Sequence, residues 1–368
     1  MGASPAVGLP ISDTAARPRG ANHAIIAYLL EQVPEFARLS HLREIGWKSA
    51  EGDEFFRRQR SQADRATDAS KVWFFKMMQR VGAELDHATS AFTIAGGGSH
   101  GVDRDGGPRT VLDFCMAPGG FLKAVIDRNP GVRAMAFTLP TESGGHEIML
   151  PRKTMSNINI RSIDITMLAE DMGIPIAARS IADGHPDADK FLPRHLPADL
   201  LVDLALCDGQ VLRTQPRASY REATEATRLA SVQLALGLEH LRPGGALVLL
   251  LHKIEAWDVV ETLYTFSTFS DVQVYKPQRA HQKRSSFYMV ARNVNSRSEA
   301  AKEAVQKWKL WWKTATFGTV EELRELRGPK PGEVDEVLKD YGPRLMELGL
   351  PVWKTQADAL AAAPFLKK

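Results

Sequence analysis

Cysteine is nearly absent: Cys115 and Cys207, two in 368 residues, leave no disulfide framework and no clustered thiolates for a zinc site. Both are expected reduced in the core. Long apolar runs are missing too, the longest candidate being Ala246 to Leu251, a strand's length against the roughly 18 to 20 residues of a membrane helix. Charge of one sign is also scarce. Lys plus Arg number 47 against 44 Asp plus Glu, a net +3, so a nucleic acid would have to meet a local patch. The start, Met1-Gly2-Ala3-Ser4-Pro5, shows neither a basic stretch leading into an apolar one nor a Ser or Thr at position 6. No secretory leader or myristoylation is expected, and the protein is expected inside the cell, in cytoplasm or nucleus.

What is present is apolar material for a core, 44% of residues against 25% charged. Residues 1–22 read as a loose Ala/Pro/Gly/Ser arm, and 23–108 as a helical region. In the latter, Ile25, Ile26, Leu29, Leu30, Val33, Phe36, Leu39 and Leu42 recur at helical spacing around a break at Pro34. Ser70 to Phe92 repeats the pattern before a flexible turn that starts at Gly96-Gly97-Gly98. From 109 to 294 short apolar strands alternate with helices, the texture of a parallel sheet with crossover helices. The strands expected are Thr110–Phe114, Arg133–Thr138, Ile158–Ile163, Leu201–Cys207, Ala246–Leu251, Val272–Tyr275 and Phe287–Ala291. An amphipathic helix over Tyr220–Leu241 is stopped by Arg242-Pro243-Gly244-Gly245. The fold expected is α/β, a doubly wound, seven-stranded Rossmann-like sheet with helical additions at both ends. The last addition, 295–368, places Trp308, Trp311 and Trp312 on one helix, where core packing is favoured over base stacking, and ends in two short helices after Gly328-Pro329-Lys330-Pro331-Gly332.

The segment richest in chemistry is Val111-Leu112-Asp113-Phe114-Cys115-Met116-Ala117-Pro118-Gly119-Gly120-Phe121, a strand entering a Gly-rich turn and then a helix. In open α/β sheets ligands bind beyond the carboxyl ends of the strands, and adjacent glycines admit a nucleoside where a Cβ would collide. The dinucleotide pattern G-x-G-x-x-G is absent. Taken alone, the turn reads equally as an ordinary strand-to-helix connection.

In order along the chain stand Asp113, Ala117-Pro118-Gly119-Gly120-Phe121, Leu206-Cys207-Asp208-Gly209, Arg242-Pro243-Gly244-Gly245, Lys276-Pro277 and Tyr288-Met289-Val290. Together they resemble the FtsJ-like methyltransferases, which methylate RNA ribose 2′-hydroxyls, and the related cap-ribose methyltransferases. The resemblance spans roughly residues 70–293. It implies S-adenosylmethionine as cofactor, held by Ala117, Pro118, Gly119, Gly120, Phe121 and Asp208. Thr138 stands where the family has an acid for the cofactor ribose, with Glu142 a substitute from the next loop, and Asp164 matches the residue near the adenine amino group. The family's Lys-Asp-Lys-Glu tetrad maps its first lysine to Lys76 and its aspartate to Asp208. Its second lysine falls on Leu250, with His252 and Lys253 the nearest basic residues, and its glutamate on Ser286. Lys76, Asp208 and Lys253 are the catalytic candidates, although on a strand Lys253 would face away from Leu250 unless a bulge or strand end redirects it. A lysine beside other charges is a fitting base for a ribose hydroxyl. No metal is expected.

RNA is the expected partner, through Lys276, Arg279, Lys283 and Arg284 on the loop between the last two strands. Arg57-Arg58-Gln59-Arg60 is a second basic cluster. Two other readings stay open: a catalytically degenerate scaffold that keeps the fold, and a methyltransferase for a small molecule or protein with the terminal helices as a lid.

Overall fold

The computed structural model describes residues 19–64, 67–94, 108–176 and 184–366. The arm expected over 1–22 and the glycine turn from Gly96 lie mostly outside them. Seven strands form one sheet: β1 (Thr110–Asp113), β2 (Arg133–Thr138), β3 (Ile158–Ser162), β4 (Val202–Cys207), β5 (Leu241–His252), β6 (Asp271–Tyr275) and β7 (Ser286–Val294). Their order is β3-β2-β1-β4-β5-β7-β6, parallel except for β7, which runs antiparallel to both β5 and β6. This is the seven-stranded arrangement that the sequence predicts. The order in which strands are added reverses between the parallel neighbours β1 and β4, the switch point at whose carboxyl ends such sheets form a crevice.

Alternation along the strands divides two apolar layers. Val111, Ala134, Ala136, Leu204, Leu206, Val248, Tyr288 and Val290 face one side, beneath α4 (Asp68–Thr89) and α5 (Gly120–Arg128). Leu112, Met135, Phe137, Ala205, Cys207, Leu247, Leu249, Phe287 and Met289 face the other. That second layer is covered by α7 (Glu225–Glu239), α8 (Trp257–Ser267), α9 (Glu299–Phe317) and α11 (Glu333–Ala361), and joins the buried faces of α1 (Arg19–Gln32) and α2 (Pro34–Trp47). Helix α7 is shorter than expected and buried nearly all round, because it lies between the sheet and α9. Asp113 and Asp208 continue the parity of Val111 and Leu206, which aims both carboxylates at the α4/α5 side.

Three elements differ from expectation. Arg242-Pro243-Gly244-Gly245 lies inside β5 rather than before it, in an irregular stretch where the pairing with β4 shifts and Gly244 takes φ +83°. A helix that the sequence reading lacked, α3, spans Ala50–Asp64 and pairs Arg57 and Arg58 with Glu54. The two short C-terminal helices are one, α11, running through Pro343 and Pro351. Each proline costs roughly 3 kcal/mol. A continuous buried stripe including Leu338, Tyr341, Leu345, Leu348, Val352, Trp353 and Leu360 outweighs that local cost. Trp308, Trp311 and Trp312 are core residues, and Trp312 Nε1 donates to the Thr166 carbonyl at 2.9 Å. Among the described residues no helix is long and apolar enough to cross a membrane.

Candidate cofactor and substrate site

The Gly-rich turn is fixed by the chain's own packing. Gly119 caps α5 at φ +100°, a conformation that excludes side chains, and Leu150 lies over it. The Met149 amide donates to the Pro118 carbonyl at 3.0 Å, so the segment between β2 and β3 rests on the turn. A Cβ on Gly120 would overlap the Phe75 carbonyl of α4. Both glycines therefore serve helix and loop contacts, in addition to any approach by a ligand. Ala117–Pro118 is cis, and Phe121 is buried, stacked on Tyr288 with ring centroids 5.3 Å apart.

At the ends of β1 and β4 sit two carboxylates with little compensation. Asp113 is 1% exposed and accepts the Cys115 amide at 3.1 Å. Burial and the charge of Asp208 push its pKa well above the carboxylate range. Asp208 is half-buried, and desolvation raises it from 3.8 to about 7. Tyr288, fully buried beside it, is pushed up by burial and then by the charge of Asp208. A pair of acids raised in this way is relieved by a cation. S-adenosylmethionine offers one at its ammonium and another at its sulfonium, so this end of the site fits the cofactor.

The residue expected near the adenine is already engaged. Asp164 caps the turn after β3, and its Oδ1 accepts from the Thr166 amide at 3.0 Å and hydroxyl at 2.7 Å. Its Oδ2 accepts from Gln215 at 3.0 Å and Arg221 at 2.7 Å. Those four bonds use the usual capacity of a carboxylate. Arg221 is itself buried, held by Glu225 at 2.5 Å, which Arg228 also binds at 3.0 Å. As placed, Asp164 is a structural partner, and binding an adenine amino group requires Gln215 or Arg221 to yield. Thr138 ends β2, buried at 5% exposure, while Glu142 stands exposed in the following turn.

The expected base assembly is not formed. Lys76 lies nine residues from the fully buried Leu85, roughly two and a half helical turns, and so points away from the core. It lines an outer groove between α4 and α5 with Gln79, Arg80 and Ala124, and no hydrogen bond or ion pair joins it to Asp208. Leu250 occupies the α4/α5 side of β5, where a lysine would face Asp208. β5 ends at His252, and Lys253 follows in the left-handed conformation at φ +57°, its amide bonded to the Ser285 carbonyl at 3.1 Å. The strand end thus redirects Lys253. Its charge is felt at Glu255, which Arg43 binds at 2.5 Å. Ser286 is buried. His252 Nε2 meets Gln210 Oε1 at 2.8 Å, tying the ends of β5 and β4. Sequence reasoning missed Tyr288, Gln210 and Arg221 as site residues; Tyr288 stood in the Tyr288-Met289-Val290 motif without a role, and Arg221 carried a local signal in its four-residue spacing from Glu225.

The basic loop needs one clear correction. Lys276 is 3% exposed and donates to the carbonyls of His281, at 3.0 Å, Arg284, at 2.5 Å, and Ser286, at 2.6 Å. It staples the loop and has no donor left for phosphate. Lys283 lies over the Phe55 ring at 5.6 Å, while Arg279 and Arg284 remain exposed.

Comparison with known proteins gives a match to the model of the FtsJ-like methyltransferases over residues 79–294, beginning just beyond Lys76. No curated protein matches. Among solved structures, one assigned as a ribosomal RNA methyltransferase of Plasmodium falciparum is 13% identical, with TM-score 0.35, covering 59% of this chain and 97% of that one. An O-methyltransferase family protein of Burkholderia thailandensis is 12% identical, with TM-score 0.33 and coverages of 74% and 71%.

Proposed function

The chain belongs to the FtsJ-like methyltransferase family, and from that premise we propose that it transfers a methyl group from S-adenosylmethionine to an RNA ribose hydroxyl, with Asp208 alone as the base. The observation that carries this reading is the Asp208 carboxylate at the end of β4, beside the Gly-rich turn, raised to about 7 with no lysine on it. When bound, S-adenosylmethionine supplies a methyl group on a positively charged sulfur. Asp113 offsets that charge from its buried position, and the turn from Ala117 to Phe121, with Thr138, frames the site. Asp208 is the more open of the two acids. With the cofactor's positive charge beside it the carboxylate is held ionised near neutral pH, and its burial keeps it basic enough to accept a hydroxyl proton. Tyr288 and Leu250 beside it limit water.

The test is transfer of a labelled methyl group to short oligoribonucleotides by the full chain. Asp208→Asn is expected to lose at least 100-fold in kcat, within the range of a lost general base, and Lys76→Ala to change kcat at saturating RNA less than threefold. An active Asp208→Asn refutes the assignment, and loss of kcat at saturating RNA in Lys76→Ala restores the lysine-based route. A second reading is favoured by Leu250 and Ser286 at the two missing tetrad positions: a cofactor-binding protein without transfer. Tight S-adenosylmethionine binding without methylation of any RNA supports that reading.

A further inference from the structure

We propose that the solvent face of α4 is a track for single-stranded RNA, in which Trp73 stacks a base and Lys76 and Arg80 hold phosphates. The proposal rests on the RNA reading above and assigns Lys76 a binding role outside the chemistry.

Trp73 is 60% exposed, an unusual state for the largest side chain, and Val72 and Ile148 beside the turn's covering segment are also exposed. Trp73, Lys76 and Arg80 follow one another at helical spacings of three and four, so they share one side over about 10 Å. No hydrogen bond or ion pair holds Lys76 or Arg80 among the described residues. Two of the acids nearby are paired with cations, Asp127 with Lys123 and Asp86 with Arg128 at 3.1 Å, while Glu84 keeps its charge and accepts the Tyr275 hydroxyl at 3.1 Å. Among the described residues the Lys76 ammonium and the Arg80 guanidinium are therefore not tied up in ion pairs, and both stand next to a bare aromatic ring. From Lys76 a groove of about 820 Å³ continues past Arg80 to His87 and Arg128.

Bases stack on an exposed ring without regard to sequence, and spaced cations follow a sugar-phosphate chain. A protein partner would instead require a larger apolar surface to cover. The N-terminal part of α4 is joined to the segment over the Gly-rich turn by Lys71 with Glu147, at 3.1 Å, and Phe74 with His146. A strand on the track is thereby led toward the candidate site.

The experiment is fluorescence anisotropy of a labelled 15-nucleotide oligouridylate with the full chain, Trp73→Ala and the double variant Lys76→Glu/Arg80→Glu. S-adenosylmethionine titration of each variant confirms an intact site. Both variants are expected to bind RNA at least tenfold more weakly, and a Lys76→Ala/Arg80→Ala pair to flatten the salt dependence by about 1.4 in log-log slope, two phosphates at about 0.7 each. Wild-type protein that binds S-adenosylmethionine and no RNA overturns the RNA reading itself. Wild-type binding that the variants leave unchanged overturns the track alone. Sedimentation showing a dimer that Trp73→Ala dissolves reassigns the face to self-association and refutes the track.

Discussion

Replacing Asp208 by Asn should stabilise the protein at pH 8 much more than at pH 5. The native carboxyl holds its proton to about 7, against 3.8 when unperturbed, because burial disfavours its charge. Between those values the folded state binds more protons than the unfolded one, so stability falls as pH rises. About three units at about 1.4 kcal/mol each set an upper limit near 4 kcal/mol. Asp208 is half-buried, and solvent screening reduces the realistic gain to about 1–2 kcal/mol. Asn is neutral throughout, so the difference between variant and wild type should open by that amount from about pH 4 to pH 8, with roughly two-thirds of it falling between pH 5 and pH 8. With about 2.1 cal/mol/K of unfolding entropy per residue, this corresponds to roughly 2 °C in Tm. Urea unfolding followed by tryptophan fluorescence at both pH values gives the difference directly. An equal difference at pH 5 and pH 8, or a larger one at pH 5, refutes the assignment of Asp208 as an uncompensated acid. A confirmed gain means that the fold tolerates a destabilising charge at the position where the chemistry is proposed.

Four more outcomes follow from the packing and charge of the site and its loop. Arg221→Ala strands Asp164 and Glu225 in a buried network and should lower urea stability by about 3–5 kcal/mol, whereas a change below about 1 kcal/mol would contradict the network. Gly120→Ala forces a Cβ onto the Phe75 carbonyl, which cannot move without shifting α4, and should cost about 1–3 kcal/mol in the same assay. Lys276→Met frees three carbonyls of the β6–β7 loop, so trypsin should cut after Arg279 or Arg284 faster than in wild type. Burial lowers Lys276 to about 7, so the native state holds fewer protons than the unfolded chain from there to about 10.5, and the wild type should gain stability over that interval while Lys276→Met does not.

The strands were legible because alternating apolar residues bounded by Gly, Pro and Asp leave few other readings, and all seven appear within a few residues of expectation, apart from the early start of β5. Helices held together by long-range packing were less legible. α3 has a polar sequence with little apolar periodicity, and α11 violates the local rule against internal proline because its partners lie elsewhere in the chain. In the candidate site, motif spacing located the turn and both strand-end acids, yet spacing cannot show on which side of a helix a lysine emerges. Lys76 faces outward because Met78, Val81 and Leu85 claim the inner side. Lys276 illustrates the same gap, since a run of cations reads as solvated until the backbone supplies carbonyls to one of them.

The clasp of α11 on α1 and α2 bears on how the chain is made. Phe36 meets Trp353 with centroids 5.1 Å apart, Arg38 reaches Asp358 across 320 residues at 2.6 Å, and Arg43 binds Gln356 at 2.7 Å. A ribosome adding about 5–20 residues per second needs tens of seconds to deliver that partner. During this time the faces of Ile25, Leu29, Phe36 and Leu39 stand without their final cover. Helices α1 and α2 are therefore completed only once α11 has been made, and until then the nascent chain carries an uncovered apolar face for a chaperone to shield.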